Sequence, residues 1–242
     1  MSPDVVSQLA PHGVLRAAIN MSNFLLVTGR TPSGDPEGVS PDMARAIARA
    51  LGVPVQYVPF PKPGELADAV DKDVWDIGLI GAEPARAEKI AFTAAYAEIE
   101  ATYLVPAGSP ITRIEEVDRP GIRIAVTARS AYDLWLERNI KQAQLVRSDS
   151  LSSAAEMFVR DKLEALAGLR PGLIGDAAKL PGSRILDGQF TAVQQAVGTQ
   201  RKNTAGAAFL RDFVEQAKRS GLVAGFIEKR GVAGRLSVAP PA

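Results

Sequence analysis

Residues 76–96 read DIGLIGAEPARAEKIAFTAAY, and the fold turns on how that stretch divides. Asp76 to Ile80 is a short apolar run of the kind a buried strand carries, Glu83 to Ile90 suits a short helix with Pro84 near its start, and Ala97 to Val105 is the next strand. Working back, Glu65 to Trp75 suits a helix, Val53 to Phe60 alternates like a strand, and Gly13 to Ile19 is a β-branched apolar run. Between the first two strands, Ser40-Pro41-Asp42 supplies an N-cap, a proline at the first helical position and an early acid. Met43, Ile47 and Leu51 then repeat every four residues until Gly52. Strand and helix alternate throughout, which argues for an α/β fold with a mostly parallel sheet.

The pattern restarts after Pro106-Ala107-Gly108-Ser109-Pro110, a turn-rich segment that suits a linker. Beyond it come a capping-box spacing at Thr112 and Glu115, a buried-type strand from Gly121 to Thr127 and a helix from Ser130 to Ile140. A further strand lies near Leu145, a helix near Ser152 to Arg160, and strands at Leu163 to Leu169, Arg184 to Leu186 and Ala192 to Gly198. Helices at Thr204 to Arg219 and after Gly221 finish the chain. Two lobes are expected: residues 1–105, residues 106–192, and a return of 193–242 to the first. The proline-rich end, Ala239 to Ala242, is expected to fray.

Composition excludes several classes of function. The 28 basic and 27 acidic residues are spread along 242 positions, so no electrostatic footprint for nucleic acid or an anionic membrane is visible. Cysteine is absent, which excludes disulfides, thiolate metal sites and cysteine nucleophiles, and with His12 the only histidine little material is left for imidazole metal sites or histidine-based catalysis. His12 itself reads as a surface residue. No metal or cofactor is expected. No apolar run reaches membrane-spanning length, and the first residues lack the basic start and apolar stretch of a secretory signal.

The order of motifs resembles the type II periplasmic solute-binding proteins, and within them the family that delivers amino acids to ABC transporters. The likeness runs from about Leu15 to Gly231 and rests on Gly38-Val39-Ser40-Pro41-Asp42 with the Ala46 to Gly52 helix ending, on Asp76, on Arg86 and on Phe92-Thr93-Ala94-Ala95-Tyr96. In the second lobe it rests on Ile122 to Thr127 followed by Arg129-Ser130-Ala131-Tyr132-Asp133-Leu134. The resemblance implies a two-lobed type II periplasmic-binding-protein fold with the ligand cleft between the lobes and hinges near Val105 and Thr191. It implies a monomer that captures a small carboxylate-bearing ligand and serves an ABC transporter permease. Location in the periplasm is implied if a signal peptide has been removed, and in the cytoplasm if none ever was.

Three departures bear on the ligand. The loop before Arg86 is short and reads Gly81-Ala82-Glu83-Pro84 rather than being rich in Ser and Thr. The position where the family keeps an aspartate for the ligand's amino group falls near Leu169-Arg170. The usual sandwiching aromatics are replaced by Asn23 and by a residue near Lys62.

The candidate ligand-binding residues follow. Arg86 offers a planar fork that can grip a carboxylate bidentately; the bland alternative is an exposed arginine paired with Glu83 or Glu88. Ser130, with Arg129, Ala131 and Tyr132, marks a helix start whose free amides favour an anion, although a plain N-cap has the same geometry. Asn20 and Asn23 flank a strand end and can donate and accept, with turn chemistry as the alternative. Phe24 and Tyr132 are candidate pocket walls. Gly81 and Ala82 supply loop backbone, and either Gln194 or Gln195 is expected to face the ligand. Glu83 is the candidate for a cationic group, against a salt bridge or a helix-start acid.

Capture by hinge closure needs no chemistry. Two rivals carry different expectations: an enzyme resembling the cyclohexadienyl dehydratases, with Glu83 as general acid, and a cytoplasmic small-molecule sensor.

Overall fold

The computed structural model describes residues 2–242. The chain forms two units, one of residues up to Glu98 and from Gln194 onward, the other of Ile99–Val193. The first crossing therefore falls inside a strand, upstream of the Pro106–Pro110 turn that the sequence marked as a linker. A turn-rich segment and a domain boundary look alike in sequence, but a strand that continues from one unit into the other gives no compositional sign.

The first unit opens with α1 (Pro3–Leu9) and β1 (Leu15–Asn20), then a small hairpin of β2 (Gly29–Arg30) and β3 (Pro36–Glu37). It continues with α2 (Val39–Leu51), β4 (Val55–Phe60), α3 (Pro63–Asp68), β5 (Ile77–Gly81), α4 (Pro84–Ala87) and β6 (Ile90–Phe92). β7 (Ala97–Val105) carries the chain into the second unit, which holds β8 (Arg123–Thr127), α5 (Ala131–Asn139), β9 (Gln144–Ser148), α6 (Leu151–Arg160), β10 (Ala165–Leu169), α7 (Arg170–Ala178) and β11 (Arg184–Ile185). β12 (Thr191–Gln200) returns to the first unit, followed by α8 (Thr204–Arg219), α9 (Leu222–Lys229) and β13 (Ser237–Val238).

In the first unit β1 runs parallel to β4 on one side and β5 on the other, while β12 pairs antiparallel with β5 and β6. In the second, β8 runs parallel to β9 on one side and β10 on the other, and β7 closes against β10 antiparallel. Each unit is thus a β-α-β-α-β run whose first strand sits between the other two. The C-terminal ends of such strands, where the crossovers leave in opposite directions, are where open α/β sheets bind ligands.

The repeat extends to side chains. Arg16, in β1, donates its backbone N–H and its Nε to Asp76 Oδ2 at 2.8 and 3.1 Å, and its Nη2 to Oδ1 at 2.8 Å. Arg123, in β8, does the same to Glu164, at 2.7, 3.0 and 2.8 Å. In both units the arginine also donates to a backbone carbonyl of a left-handed turn residue, Asp73 or Lys162, just before the acid. Asp76, part of the motif that carries the resemblance, is therefore a lash between β1 and the entry to β5 rather than a ligand group.

Hydrophobic burial anchors each unit separately. Trp75, Leu66, Val70, Ile80 and Ile90 cluster under α3, and Leu104, Ala125, Met157, Phe158, Leu163 and Leu173 form the corresponding core beside α6. The Gly38 to Asp42 motif is explained by packing. A Cβ on Gly38, at φ 151°, would lie 2.1 Å from the Leu26 carbonyl oxygen, so only glycine lets α2 begin beneath that loop. Asp42, 1% exposed, accepts from Arg230 Nε at 2.6 Å and Nη2 at 2.7 Å, and from Arg45, tying the start of α2 to the end of α9.

Several local expectations need correction. The helix expected over Glu83 to Ile90 is a single turn, α4, because Ile90 leaves it to pair in β6. α1 and α7 were not anticipated, and Glu116, not Glu115, closes the turn after Thr112 by accepting from the Thr112 and Arg113 amides. The C-terminal end does not fray at its start: Val238 pairs with Ala97, and the Ala239 amide donates to Tyr96 O at 3.2 Å. Lys218 Nζ holds Pro240 O at 2.8 Å.

Candidate functional site

In the first unit the candidate residues gather where β1 and β5 end. Gly81 is the last residue of β5, and the Ala82 amide donates to Gln194 O at 2.7 Å, so the loop is pinned to β12. The chain then turns into α4 at Glu83, which lets Arg86 fold back and donate Nη1 to the Gly81 carbonyl at 2.8 Å. Arg86 is 6% exposed and Glu83 9%, so the exposed-arginine alternative is excluded. A cation and an acid buried three residues apart, on a one-turn helix, are costly to desolvate unless something compensates their charge.

The asparagines do turn work. Asn20 Oδ1 accepts from the Ser22 amide and hydroxyl, at 3.1 and 2.7 Å, and Asn23 Oδ1 accepts from the amides of Leu25 and Leu26, at 3.1 and 3.2 Å. Their side-chain carbonyls are thereby spent on the loop, which they shape so that Phe24 stands 39% exposed beyond the end of β1. Gln194 Nε2 donates to Glu98 Oε1 at 2.9 Å, joining the two segments at which the chain crosses between units, while Gln195 is 3% exposed within β12. The aromatic-hydroxyl step locks the core: the Thr93 hydroxyl accepts from the Val197 amide, and Tyr96 OH lies 3.2 Å from Ser40 Oγ. Burial pushes the Tyr96 phenol well above its ordinary value.

In the second unit the candidates gather where β8 gives way to α5. Ser130 Oγ accepts from the Asp133 amide at 3.1 Å and donates to Thr127 O at 2.8 Å, and Asp133 Oδ2 accepts from the Arg129 amide at 2.7 Å. Asp133 is itself held by Arg147 Nε at 2.9 and 3.1 Å. Arg129 takes the left-handed conformation, φ 60°, that this reversal needs, and its side chain is exposed. The cap leaves the amides of Ala131 and Tyr132, the first two of the helix, directed outward from its start, where the helix dipole favours an anion. The serine is thus both an N-cap and a frame for two donor amides.

Sequence reading missed Thr127. Its Oγ1 and Tyr132 OH are both buried and make no hydrogen bond of good geometry among the described residues, though the two hydroxyls lie close enough, with Ser130, to temper the phenol. Burial is the larger influence and pushes the Tyr132 phenol above its ordinary value. A threonine ending a strand just before a capped helix was the available signal. Arg170 answers the question raised by the missing aspartate. Its Nε donates to Glu100 Oε2 at 2.6 Å and its Nη2 to the Gly188 carbonyl, so that position offers no carboxylate and its guanidinium is committed elsewhere.

A family model for the bacterial extracellular solute-binding proteins, family 3, matches residues 19–230. The chain belongs to that family. No curated protein matches the sequence. Among solved structures, a mutant of ArgBP from T. maritima is 20% identical, with a TM-score of 0.73 over 94% of this chain and 99% of that one. A putative ABC-transporter binding component from Wolinella succinogenes, complexed with lysine, is 19% identical, with a TM-score of 0.74 over 90% and 95%. The ancestral amino-acid-binding protein AncCDT-1, described as a precursor of cyclohexadienyl dehydratase, is 21% identical, with a TM-score of 0.72 over 93% and 98%. At these identities the likeness carries the fold, which for this family 3 protein is that of the type II periplasmic binding proteins. Among the described residues no group of three or more His, Cys, Asp or Glu could hold a metal ion, and no helix is long and apolar enough to cross a membrane.

Proposed function

We propose that this family 3 protein is the solute-binding component of an ABC-type uptake system, working in the periplasm as a monomer that presents its ligand to a permease. The ligand is a small carboxylate-bearing metabolite, an amino acid or a related organic acid, which contacts both units and biases the hinge toward a closed state. The observation that supports this reading best is the burial of Arg86 at the C-terminal end of β5, 6% exposed and held at one Nη by the Gly81 carbonyl. A planar guanidinium suits a carboxylate.

The amides of Ala131 and Tyr132 form a second set of donors for the same anionic group. Glu83 takes the place of the family's amino-group aspartate, since Arg170 stands near that position and is engaged with Glu100. The ligand that fits carries its cationic group close to its carboxylate or is held through an ordinary amine in an unusual pose. We read the protein as a binder and not as an enzyme, because a general-acid role for Glu83 would require a catalytic partner that the neighbouring sequence does not provide.

Calorimetric titration with amino acids, their N-modified forms and small organic acids tests the reading. Charge-assisted hydrogen bonds contribute about 1.5–3 kcal/mol each, so Arg86→Ala is expected to weaken binding of the identified ligand at least tenfold, at about 1.4 kcal/mol per decade. Unchanged affinity in that variant overturns the assignment of Arg86.

A further inference from the structure

A second feature of the first unit lies apart from the strand ends that carry Arg86. α9 packs on both α2 and α8, and the three helices enclose a groove of about 410 Å³. The groove exists because α2 offers only Ala46 and Ala50, one turn apart, where larger side chains would fill the space. Its floor is completed by Phe213 of α8 and by Leu222 and Phe226 on one face of α9, and Leu222 is 36% exposed.

The rim is basic. Asp42 is the single acid in the lining and is buried, engaged by Arg45 and Arg230. Arg49 and Lys229 have no ion-pair partner among the described residues. Both stand in the last turns of their helices, where the dipole favours a cation. The dipole does not account for the apolar floor laid between them.

We propose that this groove binds a free amphipathic monocarboxylate, its acyl or aryl body on Phe213, Leu222 and Phe226 and its anionic end between Arg49 and Lys229. Size favours a small molecule over a protein partner. A stable protein interface takes roughly 20–30 residues a side, whereas nine residues line the groove, and its volume falls within the roughly 300–1,000 Å³ of small-molecule pockets.

The probe is sodium octanoate, followed by calorimetry and by chemical-shift perturbation on the full chain. Octanoate is expected to bind with shifts on α2, α8 and α9, octanol at least tenfold more weakly, and acetate not at all. The double variant Arg49→Gln, Lys229→Gln changes only exposed side chains and is expected to lose at least tenfold. Ala46→Leu, which fills the groove, is expected to abolish binding. Arg86→Ala separates the two sites: it is expected to leave octanoate affinity unchanged while weakening binding of the ligand of the proposed uptake function at least tenfold. Loss of octanoate binding in Arg86→Ala, equal affinity in the double variant, or no binding to the wild type overturns the proposal.

Discussion

Gly38 and Asp42 show how a motif that carries a family resemblance can serve the packing of a helix. The glycine is required because the Asn23 loop runs across the start of α2, and the aspartate because two arginines converge on it. Neither touches the candidate site, yet both help determine it, since the same loop sets Asn23 and Phe24 beyond β1. Gly38→Ala must move the Leu26 carbonyl or the helix, and we expect a loss of about 3 kcal/mol in urea unfolding, at the upper end of ordinary point mutants. A loss under about 0.5 kcal/mol would show that the loop simply yields. At Arg86 the lesson runs the other way. Its residue type pointed to an anion, but only the backward turn of α4 shows that it is buried.

Among the elements, the strongest signals in sequence came from those whose own residues make the structure. α2 was legible from Pro41, Asp42 and the four-residue apolar repeat, although its N-cap is Gly38 and the serine expected to cap it, Ser40, lies inside the first turn against Tyr96; α8 was legible because it is long. α7 was not, because Pro171 and two glycines hide a weakly amphipathic helix whose position is set by Arg170 reaching Glu100, 70 residues away. The ends of the chain were missed because their partners are distant in sequence; Thr127 has Ser130 and Tyr132 close by in sequence, but that its hydroxyl is buried beside them shows only in the folded chain. The paired lashes, Arg16 with Asp76 and Arg123 with Glu164, could not be read from sequence either, since an arginine opening a strand looks like any surface cation.

Those lashes permit a matched test. Asp76 is 4% exposed, so Asp76→Ala strands a partly buried guanidinium and is expected to cost about 3–5 kcal/mol. The Glu164 side chain is 31% exposed, and with solvent screening Glu164→Ala is expected to cost about 1 kcal/mol. The Arg123 guanidinium holds the Glu164 carboxyl below its ordinary range. Because the folded state lowers this pKa, its stabilisation is complete above the unfolded value of about 4.3 and is lost as pH falls through the folded value. Glu164→Gln should therefore flatten stability against pH below that point and leave the neutral-to-alkaline limb parallel to wild type. Equal costs for Asp76→Ala and Glu164→Ala would break the argument from burial.

For the whole molecule, the division of the chain makes a prediction that no single residue makes. The second unit is one continuous segment, Ile99–Val193, with its own core, and its two ends are held together by the Phe190 amide donating to Ala101 O at 3.0 Å. The first unit is two segments, and they meet where the chain leaves and returns, at the Glu98 to Gln194 hydrogen bond of 2.9 Å. A segment with its own core and adjacent ends tolerates excision there. Residues 99–193 expressed alone, and residues 2–98 joined to 194–242 by a short Gly-Ser linker, are each expected to fold, with dispersed amide spectra and cooperative melting. If capture depends on donors from both units, as proposed, neither piece should bind the identified ligand within a hundredfold of the intact protein, whereas octanoate should still bind the linked first unit. A linked first unit that binds the uptake ligand with wild-type affinity would assign the whole site to the Arg86 end and remove the need for closure, leaving the helix start at Ser130 as a cap and nothing more.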